Sequence, residues 1–325
     1  MKLRVSQGLK KVEYFALGAE VGKTAAGARD KELLIASVPE PVLMRDPARL
    51  AALESPRRDA VLNLLDFPGQ IVEFDGVSTF WSPELYPGAW SPSIDTMLFA
   101  EAIRLDLAST GRLRKIRDFL EIGTGSGFLS KYLLVKKRSA GGEMRLAHLS
   151  DINKDALRCA LDNLEAVRGR TLMYYTHTQR DAKLKVDRPY DLVLSNPPYI
   201  PRPGAGRHNP YEGLFLYDEM ILNAGRMLRP DGVFMTILSS LSRPLVEPAL
   251  KSVFTLRPVI SRRVPLKIPA ITAGLSKGSR DWISYLRSRG YVEEDRTGRS
   301  GHRYWQTIEI VSGGLKAPAG KSDSR

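Results

Sequence analysis

Tyr190-Asp191-Leu192-Val193-Leu194-Ser195-Asn196-Pro197-Pro198-Tyr199 is the stretch on which the fold turns. An apolar strand runs straight into a turn locked by two prolines. Pro197 and Pro198 fix two φ angles and remove two backbone donors. Pro197 also pushes Asn196 out of the helical region. The product is a rigid ledge at the carboxyl end of a strand, which is where open α/β sheets place their ligands. Its amide oxygen and flat ring suit the holding of a planar NH₂ group.

Working outward, strands and helices alternate. Strands are expected over Ile116–Ile122, Leu146–Ser150, Leu172–Thr176, Tyr190–Ser195 and Val233–Leu238, with a period-2 strand over Arg303–Val311. Helices are expected over Ile94–Leu107, Gly127–Val135, Lys154–Val167 and Tyr217–Met227, the last ended by Arg229-Pro230-Asp231-Gly232. That alternation predicts a mainly parallel sheet with helices on both faces. Upstream, Asp75-Gly76 between Ile71–Phe74 and Val77–Trp81 predicts a hairpin. Short helices fit within Leu50–Leu65, and residues 1–60 are otherwise mixed in pattern. No internal repeat is present.

The strand at Ile116–Ile122 opens into Glu121-Ile122-Gly123-Thr124-Gly125-Ser126-Gly127. Glycines there allow a tight turn and close approach of a ligand to the backbone. Asp151 ends the next strand, where an acid grips ribose hydroxyls in Rossmann-like units. Loop and acid together indicate a nucleoside-type cofactor, either NAD or S-adenosylmethionine. The spacing G-x-G-x-G lacks the third glycine of the dinucleotide fingerprint, and the Asn-Pro-Pro-Tyr ledge has no role in hydride transfer. Both features favour S-adenosylmethionine.

The segments Asp118–Gly127, Ser150–Asn153 and Ser195–Pro201 resemble class I S-adenosylmethionine-dependent methyltransferases, in particular the HemK-type and small-domain branch. Ser91-Pro92-Ser93-Ile94-Asp95-Thr96 is similar to that branch's Pro-x-x-Asp-Thr element. The resemblance spans roughly residues 86–240 plus the final strand. It implies an α/β, Rossmann-like fold with a mostly parallel seven-stranded sheet. It also implies a methyltransferase domain over 86–312, an N-terminal accessory region over 1–85 and a tail over 313–325. A basic C-terminal insert at about 262–300 has no counterpart in the minimal fold.

The same resemblance implies residue roles. Gly123, Thr124, Gly125 and Gly127 would line the methionine and ribose part of S-adenosylmethionine. Glu121 would face its amino group, Asp151 the ribose hydroxyls and Ile152 the adenine. Asp181 would take the adenine amino group, although its surroundings match the pattern loosely. Asn196, Pro197 and Tyr199 would hold the methyl acceptor. An amide or exocyclic amino nitrogen is a poor nucleophile because its lone pair is delocalised. The Asn196 side-chain oxygen and the Pro197 carbonyl would take its two hydrogens and aim it at the sulfonium methyl. Tyr199 would stack on the flat group.

Other residues carry bland alternatives beside the sharp ones. Asp95 and Thr96 either belong to the site or cap the following helix. Trp90 reads as a core residue, with a cofactor lid as the other reading. Cys159, the single cysteine, lies on an apolar stripe and reads as a buried hydrophobe. The four histidines show no ligand spacing, so no metal is expected.

The 325 residues carry 49 Lys and Arg against 36 Asp and Glu, a net charge of +13. That surplus fits a polyanionic partner such as RNA, work close to the ribosome, or simple solubility. Basic and aromatic residues interleave between 255 and 305, a mixture suited to RNA backbones and unstacked bases. No run is long and apolar enough for a membrane helix, and a cytoplasmic location is expected. Three functions stand open at this point. They are a protein glutamine-type N-methyltransferase, an RNA or DNA amino-group methyltransferase, and a binding module without turnover.

Overall fold

A computed structural model describes residues 2–7, 10–17, 34–38, 70–81, 85–90, 92–177, 184, 186–201, 214–265, 284–294 and 304–317. The short helices read within Leu50–Leu65 lie outside the described residues, as do Asp181, the loop 202–213, much of the basic insert and the end of the tail.

The described residues form two sheets. The smaller is antiparallel, with strands β1 (Lys2–Gln7), β2 (Lys10–Leu17), β3 (Leu34–Val38), β4 (Gln70–Phe74) and β5 (Val77–Trp81) in the order β3-β2-β1-β4-β5. The expected hairpin is β4–β5, turning at Asp75 and Gly76, both at positive φ. The sequence reading found no strand before residue 60, yet β1 pairs with β4 from Leu3↔Phe74 to Gln7↔Gln70. Three strands therefore extend the hairpin.

The larger sheet holds β6 (Asp118–Ile122), β7 (Leu146–Asp151), β8 (Leu172–His177), β9 (Tyr190–Ser195), β10 (Leu228–Ser239), β11 (Phe254–Pro265) and β13 (Tyr304–Leu315). They run in the order β8-β7-β6-β9-β10-β13-β11, and the two-residue β12 (Glu293–Glu294) pairs with β13. The pairs β7–β8, β6–β7, β6–β9 and β9–β10 are parallel, whereas β13 is antiparallel to both its neighbours. With β12 the sheet counts eight strands among the described residues, and the other seven form the mostly parallel α/β arrangement expected from the resemblance.

Helices cover both faces. On one lie α1 (Ile94–Ile103, continued by a π-turn Arg104–Ala108), α2 (Phe128–Ser139) and α3 (Lys154–Leu164), which bury Phe99, Phe128, Tyr132 and Ala160 against Phe119, Leu149, Leu192 and Leu194. On the other lie α4 (Phe215–Leu222), α5 (Ala224–Met227) and α6 (Arg243–Val253), packing Tyr217, Met220, Met227 and Leu250 on Leu120, Val193 and Phe234. Alternate residues of β9 thus feed opposite cores, the consequence of a period-2 strand between two helical layers.

Three stretches differ from the sequence reading. Arg229-Pro230-Asp231-Gly232, read as the break between a helix and a strand that starts at Val233, lies instead inside a strand that starts at Leu228. It is an irregular arch within β10, between the pairs Leu228↔Tyr190 and Val233↔Leu192. Arg229 is the reason, because its guanidinium is held by Asp118 at 3.1 Å and by Asp191. Residues 254–265, for which no strand was expected and whose last four were read as the start of the basic insert, form the twelve-residue strand β11. Finally, β13 runs to Leu315, past the point at 313 where a tail was expected, because Gly313–Leu315 pair with Phe254–Leu256.

The small sheet is anchored to the large domain by its hairpin. Asn163 on α3 accepts from Phe80 N–H at 2.7 Å and donates to Phe80 O at 2.8 Å and Ser126 O at 3.0 Å. Tyr132 and Lys136 of α2 reach Asp75 Oδ2 at 2.6 and 2.8 Å. No helix among the described residues is long and apolar enough to cross a membrane.

Candidate active site

The carboxyl ends of β6, β7, β9 and β10 lie side by side, with Ile122 opposite both Ser150 and Ser195, and Ser195 opposite Thr236. Small hydroxyl residues clip these ends together. Ser195 Oγ donates to Ile122 O at 2.8 Å, and Thr236 Oγ1 donates to Ser195 O at 3.1 Å. The backbone that enters the Asn-Pro-Pro-Tyr ledge is therefore fixed from both neighbouring strands.

The glycine turn leaves β6 next to this ledge. Gly123, Gly125 and Gly127 have φ of 73°, 54° and 77°, a region where side chains are costly and glycine is not. Gly123 N–H and Thr124 N–H donate to Ser150 O at 2.8 and 3.2 Å. The three glycines do different work. A Cβ on Gly123 would meet only Leu216 at 3.8 Å, and one on Gly125 only the Trp90 carbonyl at 3.5 Å. One on Gly127 would lie 2.8 Å from Ala160 Cα. Gly123 and Gly125 border open space, whereas Gly127 lets α2 and α3 pack closely.

Glu121 is buried at the end of β6. Its Oε2 accepts from Thr124 Oγ1 and Ser130 N–H, both at 3.1 Å, and from Ser130 Oγ. Burial nevertheless pushes its carboxyl up to about 7, outweighing these donors. The Thr124 hydroxyl is turned onto Glu121, so it braces the acid. Asp151 ends β7 as expected. Its Oδ2 accepts from Gly125 N–H at 2.9 Å and its Oδ1 from Asn153 N–H at 2.8 Å. Burial raises this carboxyl also. A carboxylate has about four lone-pair positions, so capacity remains for a ligand. Ile152 follows, half-buried, and His177 Nε2 lies 2.9 Å from its carbonyl.

Asn196 joins this mouth from β9. Its Nδ2 donates to Asp95 Oδ2 at 3.2 Å, while its Oδ1 is buried with no partner among the described residues. Tyr199 O–H donates to the same Asp95 oxygen at 3.2 Å. Burial and the adjoining Asp95 hold the Tyr199 phenol well above its ordinary range. The other Asp95 oxygen, Oδ1, accepts from Thr96 N–H at 2.8 Å and from Ser93 Oγ. Ser93 N–H in turn donates to Thr96 Oγ1 at 3.2 Å. Asp95 thus serves the first turn of α1 with one oxygen and reaches Asn196 and Tyr199 with the other.

Trp90 departs from its core reading. It is 63% exposed, beside the glycine turn. The segment that carries it is tied down by Asn153 Nδ2, which donates to the Pro87 carbonyl at 3.0 Å. Cys159 is buried, as read, and burial pushes its thiol up to about 12, so it is an inert hydrophobe. Asp181 lies outside the described residues.

The donor set fits S-adenosylmethionine. Two glycines leave room at the backbone where a Cβ would intrude on a bound nucleoside. A buried acid near neutrality gains a partner from an ammonium group. An acid with spare acceptor capacity ends the next strand, and a buried amide oxygen with no partner among the described residues follows β9.

Known proteins give the same answer. The sequence matches the methyltransferase small domain family across residues 97–268, just over half of the chain. It is 26% identical over 167 residues to Methyltransferase HEMK2 of Mus musculus, covering 48% of this chain and 73% of that one. It is 29% identical over 225 residues to the release factor glutamine methyltransferase of Rhodospirillum rubrum, covering 63% and 66%. With the tRNA1(Val) (adenine(37)-N6)-methyltransferase of Phocaeicola vulgatus it shares 30% identity over 127 residues, covering 38% and 51%. The chain thus spans between half and three quarters of the length of these relatives. Laid over the strands and turns that form the site, the match makes this chain a member of the methyltransferase small domain family, a class I methyltransferase whose methyl donor is S-adenosylmethionine.

Proposed function

We propose that this enzyme methylates a planar amide nitrogen, that of a glutamine side chain in a protein. One observation carries the reading: Asn196 has its NH₂ engaged on Asp95 and its oxygen buried and unpartnered. An orphaned buried acceptor is costly, and a substrate N–H relieves it. The relatives named for glutamine methylation support the amide as acceptor.

The residues act by positioning and electrostatics. Asn196 Oδ1 accepts one hydrogen of the substrate NH₂, and the Pro197 carbonyl, on the proline-locked turn, accepts the other. Both acceptors are fixed before reaction, so little reorganisation accompanies the charge that develops on nitrogen. Tyr199, with its hydroxyl on Asp95, presents its ring to the flat amide. Glu121, Asp151 and the backbone at Gly123 and Gly125 hold the methyl donor, which supplies an electrophilic methyl group when bound. The substrate nitrogen loses a proton as its new N–C bond forms. We place the reaction in the cytoplasm, in keeping with a single, buried cysteine.

A second reading, a nucleic-acid amino group, draws on the +13 charge and on the tRNA-modifying relative. Three of the five described arginines between 255 and 294 give it less support. Arg257 is bound to Asp106, Arg287 to Glu294 at 3.0 Å, and Arg263 to Glu293 at 2.7 Å while lying 4.0 Å from the Trp305 ring centroid. Those charges are engaged within the protein.

The test is transfer of labelled methyl from S-adenosylmethionine into extract of cells lacking the gene, with Asn196→Ala protein as control. Label that survives nucleases and is lost to protease, on a residue that hydrolyses to glutamate and methylamine, is the expected result. Label lost to RNase or DNase overturns the protein reading in favour of the second. Asn196→Ala should lose about 10²–10³-fold in kcat, the scale for one preorganised polar group. Its S-adenosylmethionine affinity should change by less than threefold or so, because the lost interaction acts on the methyl acceptor in the transition state and not on the bound donor.

A further inference from the structure

We propose that Asp95 is a positioning residue that fixes the orientation of the Asn196 amide, so that the site presents its oxygen, and not its NH₂, to the methyl acceptor. The inference rests on the transfer proposed above. A terminal amide has two faces of similar shape and opposite hydrogen-bonding sense. If Asn196 turned over, its NH₂ would face the substrate nitrogen and repel the very hydrogens it must accept. Nothing in the proline-locked backbone prevents that rotation, because Pro197 and Pro198 constrain φ and not the side chain.

Asp95 does prevent it. Its Oδ2 lies 3.2 Å from Asn196 Nδ2. A carboxylate only accepts, so the reversed amide would set oxygen against oxygen. The Oδ1 bonds to Thr96 N–H and Ser93 Oγ hold the carboxylate at the first turn of α1, where the helix dipole favours negative charge. Capping occupies Oδ1 alone. Oδ2 instead crosses 101 positions of sequence to Asn196 and 104 to Tyr199. Asp95 also draws positive character onto the amide nitrogen, and hydrogen bonds in series strengthen one another, so Oδ1 of Asn196 becomes a better acceptor.

A specificity follows. A site that shows the substrate two acceptors and no donor selects a nitrogen with two hydrogens to give. It accepts a primary carboxamide or a primary aromatic amine and rejects a carboxylate or a secondary amide. Locking Asn196 is what keeps the product, a secondary amide, from being taken for a second transfer.

Exchange of the two residues tests the lock. Asp95→Asn can offer its own NH₂ to Asn196 and turn the amide over. It should lose about 10²-fold in kcat with the S-adenosylmethionine dissociation constant within twofold of wild type. Asn196→Asp places two carboxylates together and should be at least as slow. The exchange Asp95→Asn with Asn196→Asp restores one donor facing one acceptor and leaves an outward oxygen, so it should exceed both single variants at least tenfold. The acceptor is the organism's own recombinant release factor, under single turnover. An exchange variant no faster than the slower single variant, or full activity in Asp95→Asn, overturns the proposal.

A second readout needs no acceptor. In protein carrying ¹⁵N-asparagine, the Asn196 NH₂ pair, identified by its absence from Asn196→Asp, should be widely split and slow to exchange. In Asp95→Ala, with the backbone amide spectrum otherwise retained, it should collapse to ordinary exposed values. A pair already ordinary in wild type overturns the lock. If wild type leaves the release factor unmethylated while the pair behaves as expected, the release factor falls as the acceptor and the lock stands.

Discussion

Glu121 shows how one buried residue couples cofactor binding to pH. Its carboxyl is raised to about 7 by burial, so it is protonated in much of the free protein below that pH. A cationic amino group beside it favours the charged form. Binding then expels a proton below pH 7, and S-adenosylmethionine affinity should rise about tenfold per pH unit up to about 7 and level off above it. Calorimetric titration from pH 5.5 to 8.5 would show it, and Glu121→Gln should bind weakly with no such slope. A wild-type slope that survives in Glu121→Gln would assign the proton elsewhere. Glycines, prolines and a strand-terminal acid announce themselves through local backbone chemistry, which is why the turn and the ledge could be read from the sequence. Asp95 could not be resolved that way. Its cap is local, but its partner lies 101 residues on, and only the closed sheet brings the two together.

Elements meet at the glycine turn, where two glycines of one motif answer to different forces. Gly127→Ala should cost stability, about 1–3 kcal/mol from overpacking, because its new Cβ meets the backbone of α3 at Ala160. Gly123→Ala has space for its Cβ and should cost only the strain of a left-handed residue, about 1–2 kcal/mol. It should, however, weaken S-adenosylmethionine binding much more than Gly127→Ala does. Urea unfolding set beside cofactor titration separates them. Equal loss of binding in both variants would mean that the turn acts as one unit. The missed strands share a physical cause. In β1, β2 and β11 polar and charged residues are frequent, and in β3 the apolar run is only five residues long, so backbone pairing between strands is what identifies them. Register such as Arg257↔Ser312 is invisible to a local pattern. The start of β10, which lies at Leu228 and not at Val233, was hidden by Pro-Asp-Gly, which is good turn chemistry. The Arg229 bonds to two acids outweigh it.

For the molecule as a whole, two buried titratable groups set opposed pH trends. Glu121 has a folded value of about 7, above its ordinary 4.5. The folded state therefore holds an extra proton between those values, and stability falls as pH rises through that window. His148 is lowered to about 4 from 6.5 by burial, between Tyr190 O–H at 2.5 Å and Thr176 Oγ1 at 2.8 Å. There the unfolded chain takes the proton, and stability rises with pH from 4 to 6.5. The two trends oppose each other where they overlap. Thermal melts of Glu121→Gln should therefore gain on wild type as pH rises from 4.5 to 7, by roughly 3 kcal/mol at full effect. A constant offset between the two proteins would refute the assignment. Saturating S-adenosylmethionine should close the gap at pH 7. The sheet order carries one more consequence, for the time course of synthesis. Because β13 sits between β10 and β11, the chain emerging from a ribosome has β11 in hand for some forty residues before the strand that joins it to the sheet exists. A chain halted just before Tyr304 leaves β10 with an open edge and β11 with nowhere to dock, and such edges recruit other chains. Completion of this sheet waits on β13, and truncations just before it should be recovered as aggregates.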